Sequence, residues 1–79
     1  MARPSLYKLN RDSVLVAISG LAKQTGQSPT LRELSEVTGL PVSTLHSYVS
    51  RMMEEGLVTW SPRSHRSIRL TPQGLEVLN

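Results

Sequence analysis

"SPTLRELSEVTGLPVSTLHSYVSRMMEEGLV", residues 28–58, holds two helical patterns with an abrupt joint between them. Thr30 followed by Glu33 is a capping box: the hydroxyl accepts from a first-turn amide, and the carboxylate reaches back to the threonine N–H. A helix therefore starts at Leu31, with Leu34 and Val37 or Thr38 on one face, and Gly39 stops it after about eight residues. "LPVS" is a tight connection. Ser43 is placed to cap a further helix from Thr44 to about Glu55, in which Leu45, Val49 and Met52 form the buried row. Tyr48 and Met53 lie on its shoulders, and Gly56 ends it.

On the N-terminal side, Val14, Ile18 and Leu21 recur at i, i+4 and i+7, flanked by Leu15 and Ala22. This pattern predicts a helix from about Arg11 to Thr25, closed by Gly26 as a left-handed cap. Gly20 costs that helix about 1 kcal/mol relative to alanine unless another helix packs closely against it. Met1 to Leu9 is expected to be an arm, since Pro4 and Ser5 discourage helix. Its charges are Arg3 and Lys8, and the folded domain is expected over residues 10–79.

Beyond Gly56 the period changes. "LVTW" is β-branched and aromatic, and "SIRL" alternates, with Ile68 and Leu70 on one side and Ser67 and Arg69 on the other. The six residues "SPRSHR" join them, so a hairpin with a charged tip is expected, packed on the helices because two strands alone are marginal. Thr71 and Pro72 are a cap and a first helical residue, and Leu75 and Leu78 are expected to dock a last short turn. The expected fold is mainly α with a small β-hairpin (α+β). Two helices joined by about four residues form a helix-turn-helix, and three helices with a two-stranded wing make its winged version.

Composition narrows the chemistry. Seventy-nine residues make one small domain, and the absence of cysteine excludes thiol catalysis, thiolate metal sites and a disulfide scaffold. No apolar run approaches the roughly 20 residues of a membrane span, and the N-terminus has no signal-peptide core, so a soluble cytoplasmic protein is expected. The net charge is +3, and seven of the nine basic residues are arginine, which suits bidentate contact with phosphate or guanine. From Ser61 to Leu70 there are three arginines and no acidic residue. His46 and His65 are far apart in sequence with no acidic pair beside them, and Gly20, Gly26 and Gly39 stand singly, so no metal, cofactor or phosphate-loop site is expected. Three aromatic residues are too few for an RNA-stacking surface, and Trp60 is expected to pack the hairpin.

The whole pattern resembles bacterial winged helix-turn-helix regulators. "SPTLRELSEVTGL" is similar to the second helix of the LexA DNA-binding domain, and "GLPVSTLHSYVSRMMEEGLV" resembles the IclR and MarR groups. "IRLTPQG" is similar to the wing-to-helix junction of the MarR group, and the resemblance covers about residues 12 to 78. LexA-like proteins continue into a protease domain and MarR-like proteins into dimerisation helices, whereas this sequence stops at Asn79, as a minimal regulator or as a fragment.

The resemblance implies a non-enzymatic, double-stranded-DNA-binding regulator, expected to repress by occupying an operator and to act as a homodimer on DNA. It puts Val42, Ser43, Thr44, His46, Ser47, Ser50 and Arg51 of the third helix in the major groove. Periodicity independently turns 43, 46, 47, 50 and 51 away from the core. Thr30 and Arg32 open the second helix, where free amides suit a phosphate. Arg63, Ser64, His65 and Arg66 form the wing tip and Arg69 projects from the returning strand, towards the minor groove or backbone. The arm residues Arg3 and Lys8 are placed to follow a groove. Two alternatives stay open: a winged-helix adaptor for protein, disfavoured by the serine-rich outer face of the third helix, and a replication or excision factor of a mobile element.

Overall fold

The computed structural model describes residues 6–64 and 66–78. Four helices and one hairpin follow in the order α1 (Leu6–Thr25), α2 (Leu31–Thr38), α3 (Val42–Glu54), β1 (Val58–Thr59), β2 (Arg69–Leu70) and α4 (Pro72–Val77). Residues 1–5, His65 and Asn79 lie outside the described residues, so the expectations for Arg3 and His65 fall there too.

α1 begins at Leu6, not Arg11, and Lys8 is therefore helical rather than part of an arm. The cause is Tyr7, which continues the Val14–Ile18 stripe one turn pair earlier and is only 4% exposed. Its ring meets Tyr48 edge-on at 5.4 Å, and its hydroxyl donates to the Glu55 carboxylate at the far end of α3.

α2 starts and stops as its sequence dictates. The Glu33 amide donates to Thr30 Oγ1 at 3.0 Å and Glu33 Oε1 accepts the Thr30 N–H at 2.9 Å, completing the box. Gly39, at φ 77°, closes the helix in a left-handed conformation open to glycine without steric cost. Val37 is exposed, while Thr38 turns its hydroxyl onto the Leu34 carbonyl, so Leu34 alone of this helix is fully buried.

α3 starts two residues earlier than expected. Its N-cap is Pro41, whose extended backbone (φ −59°, ψ 148°) leads into the helix, and no side chain caps it. Ser43 is thus inside the first turn and is not the cap. The Ser35 hydroxyl donates to the Leu40 carbonyl and the Leu40 N–H donates to Thr38 Oγ1, which holds the turn between the helices without Ser43. Leu45, Val49 and Met52 are buried as their spacing predicts.

The strands are two residues each, paired antiparallel with Val58 opposite Leu70 and Thr59 opposite Arg69. They are shorter than the "LVTW" and "SIRL" runs because the ladder passes to a side chain. The Ser61 N–H donates to Ser67 Oγ, which in turn donates to the Ser61 carbonyl, both at 2.8 Å. The alternation holds, with Ile68 buried and Arg69 exposed. α4 is capped by Thr71, whose Oγ1 accepts from the Gly74 N–H at 3.0 Å. Val77 and Leu78 pack on the core, whereas Leu75 is 49% exposed and does not dock as expected.

One core joins these elements: Val14, Leu15 and Ile18 of α1, Leu34, the α3 row, and Leu57, Val58 and Ile68 of the hairpin. α2 and α3 pack on α1, and the hairpin packs on α3 and α1. This is a helix-turn-helix followed by a wing. No helix among the described residues is long and apolar enough to cross a membrane.

Candidate nucleic-acid interface

With Leu45, Val49 and Met52 turned inward, the rest of α3 has two edges and an outer face. Ser43 and Ser47 lie exposed on the outer face, Ser50 and Thr44 are half-buried beside it, and all four present hydroxyls. The first edge faces the wing. His46 meets Trp60 edge-on at 4.9 Å, and a groove of about 420 Å³ opens between the start of α2, the start of α3 and the wing. Thr30, Arg32, Val42, His46 and Ser64, all expected at the interface, line this one groove, together with Trp60 and Pro62. Trp60 both packs the hairpin and floors the groove. Val42 is 45% exposed there, an apolar group of the kind that meets a thymine methyl.

The second edge faces α1, and here the structure departs from expectation. Arg51 does not extend from the outer face. Its guanidinium lies 4.3 Å from the Tyr7 ring centroid, and its Nε is 3.8 Å from Glu55 Oε2. Glu55 also accepts the Tyr7 hydroxyl proton, so Tyr7, Arg51 and Glu55 form one cluster between the start of α1 and the end of α3. Burial and the adjacent Glu55 carboxylate both raise the Tyr7 pKa well above its ordinary value of 10.0.

The wing arginines also divide. Arg66 is not a free tip residue. Its Nη1 donates to Glu33 Oε1 at 3.0 Å and to the Ser28 carbonyl at 3.1 Å. Arg69 Nε donates to Ser28 Oγ at 3.4 Å. Both line a separate groove of about 580 Å³ against α1, with Ile18, Ala22 and Leu70 at its base. The absence of acidic residues between Ser61 and Leu70 is thus a property of the chain and not of the space, because folding brings Glu33 to the wing. The Thr30 N–H and the Arg66 guanidinium hold the Glu33 carboxyl below its ordinary value of 4.5. Arg32 and Arg63 make no ion pair with any described residue.

Thr30 has its hydroxyl committed to the capping box, and the outer hydroxyls of Ser43 and Ser47 stand exposed. Sequence reasoning missed Glu33, Glu55 and Tyr7 as partners of arginines. The i, i+4 spacing of Arg51 and Glu55 was a usable signal, while Glu33 and Arg66 are separated by 33 positions and carry none.

The fold and this grooved face define a winged helix-turn-helix domain. The chain belongs to the IclR helix-turn-helix domain family, whose profile matches residues 21–62, more than half of its length. It is similar to the LexA repressor of Limosilactobacillus reuteri (strain DSM 20016), 33% identical over 77 residues, covering 92% of this chain and 37% of the relative. The LexA repressor of Enterococcus faecalis is 40% identical over 52 residues, covering 65% of this chain and 25% of the relative. That of Lactiplantibacillus plantarum is 36% identical over 67 residues, or 84% and 32% of the two chains. The chain thus spans little more than a third of the length of the curated relatives it matches. No solved structure matches it significantly.

Proposed function

We propose that this domain binds double-stranded DNA sequence-specifically and acts in the cytoplasm as a transcriptional repressor. The observation that carries the reading is the continuous face made by the hydroxyl-rich outer side of α3 and the groove between α2, α3 and the wing. Hydroxyls short enough to let a helix approach base edges stand at Ser43 and Ser47, with His46 as a donor beside them. Arg32 at the start of α2 and Arg63 on the wing flank this face, cations placed to meet phosphates on either side of a major groove. Similarity to proteins named as repressors supports the role.

A module of this size covers a limited DNA surface, so two copies on a two-fold-related site are required for tight specific binding. Repression then follows from occupying an operator and excluding polymerase. Selection from a random duplex pool tests the proposal: a recurrent, two-fold-symmetric sequence is expected, with spacing of about one helical turn between half-sites. A pool that stays unenriched after repeated rounds rejects sequence-specific repression.

A further inference from the structure

We infer that the groove between α1 and the wing binds a small organic acid, a carboxylate carried on an apolar body, and that its occupancy weakens the hold of the wing on DNA. The second half of the inference rests on the DNA reading above, and the first half does not. The groove is about 580 Å³, within the range of cavities that take small organic molecules. Ile18, Ala22 and Leu70 form its apolar base. Leu75 lines the same groove and is 49% exposed, so α4 leaves a large apolar side chain uncovered there. An apolar body seated in the groove removes that surface from water.

The polar side of the groove selects the charge. Lys23 from the last turn of α1 lines it together with Arg66 and Arg69 from the wing, and no acidic residue does. Arg66 is tied through Nη1 to Glu33 and to the Ser28 carbonyl, which fixes the plane of its guanidinium and leaves its other N–H groups to a second acceptor. Lys23 and Arg69 make no ion pair with any described residue. Cations that share one groove repel one another, and an anion placed among them is held by charge-assisted hydrogen bonds. A guanidinium already fixed in place loses little freedom on binding it. Inorganic phosphate satisfies the cations and leaves the base bare, whereas a neutral apolar molecule does the reverse. A carboxylate on an apolar body satisfies both. Once bound, it shares Arg66 with Glu33 and adds a negative charge beside the wing, where it repels the phosphates that Arg63 is proposed to meet.

Titration of the full chain with naphthoate, followed in proton–nitrogen NMR correlation spectra, tests the site. Saturable shifts are expected in the amides that border the groove, with a dissociation constant of about 1 mM or below. Naphthamide keeps the rings without the charge, and inorganic phosphate keeps the charge without the rings. Each is expected to bind at least about tenfold more weakly than naphthoate. Arg69→Gln is expected to weaken naphthoate about tenfold and Leu75→Ser severalfold, and because both side chains are exposed the same spectra are expected to show both variants folded. The inference is overturned by a wild type without saturable shifts, by shifts centred away from the groove, or by affinity unchanged in both variants. Naphthamide or phosphate binding as tightly as naphthoate also overturns it, and in the second case the groove takes a phosphate only. On duplexes, saturating naphthoate is expected to weaken binding severalfold at low salt, and Leu75→Ser, which leaves every cation in place, to blunt that response. Duplex affinity unchanged with the groove filled overturns the coupling. A wild type that binds no duplex ends the DNA reading and leaves the naphthoate titration to decide the groove by itself.

Discussion

Arg66 Nη1 donates to Glu33 Oε1 at 3.0 Å, and the same oxygen accepts the Thr30 N–H at 2.9 Å. One carboxylate therefore closes the N-terminus of α2 and ties the wing to it. The His46–Trp60 contact is a second link between the wing and the helices, here to α3.

Glu33→Gln separates these two roles, because glutamine still completes a capping box but carries no charge for Arg66. The variant is expected to keep α2 intact, as read by far-UV circular dichroism, while releasing Arg66. Affinity for non-specific duplex is expected to rise severalfold at low salt and to converge on wild type as salt screens the change. Affinity that falls instead would mean that a fixed wing matters more than a freed cation.

Acid acts on the same bond. The Glu33 carboxyl is held below 4.5 by the Thr30 N–H first and by Arg66 second, so the ionised form is favoured in the folded chain. Its stabilising contribution is complete above the ordinary carboxylate pKa and disappears as pH falls through the lowered folded value. Thermal unfolding of wild type and Glu33→Gln from pH 7 to pH 3 is expected to show wild type losing its advantage only below about pH 4.5.

Tyr7→Phe removes the donor to Glu55 while keeping the buried ring, and is expected to cost about 1–2 kcal/mol in chemical denaturation. Its alkaline behaviour runs opposite to that of Glu33. A raised tyrosine pKa means that the contribution is complete below pH 10 and is lost as pH climbs towards the folded value. In ultraviolet titration one tyrosine of the wild type is expected to resist ionisation near pH 10 until the chain unfolds, and Tyr7→Phe is expected to abolish that resistant fraction.

Gly74→Ala tests the junction of wing and α4. A Cβ there would lie 2.1 Å from the Leu57 carbonyl oxygen, a backbone atom that cannot move aside without disturbing the hairpin. A loss of about 3 kcal/mol or more is expected, in contrast to the gain expected at Gly20, where a Cβ meets nothing within 4 Å. Equal effects at the two glycines would contradict the packing described.

The helix-turn-helix was legible because its signals are local. Thr30, Glu33 and Gly39 act within one turn of themselves, and the α3 row repeats at helical spacing. The start of α3 was misplaced because Ser43 matches a cap by type, while the extended Pro41 backbone, which leads into the helix, has no such signature. Tyr7 was misassigned because its partners Tyr48 and Glu55 lie more than 40 positions away. The site divided on the same principle. Exposure of Ser43, His46 and Ser47 followed from period alone, whereas the positions of Arg51, Arg66 and Arg69 depend on partners in other elements.

Those positions assign separate roles. Arg63→Ala, on the wing and unpaired among the described residues, is expected to weaken all duplexes alike and to lower the salt slope by about one. Ser47→Ala is expected to leave that slope unchanged and relax preference at one base pair, at about 1–3 kcal/mol for the discrimination lost. Fluorescence anisotropy on a panel of single-base-pair variants of the selected site distinguishes the two patterns.

The proposed engagement of duplex DNA by α3 and the wing runs through phosphates as well as bases. Its most direct test is the wild-type binding constant for a selected duplex measured from about 50 mM to about 200 mM salt. A linear fall of log K against log salt is expected, with a slope of about −0.9 for each phosphate contacted and several contacts in total. A binding constant that does not change with salt would contradict it.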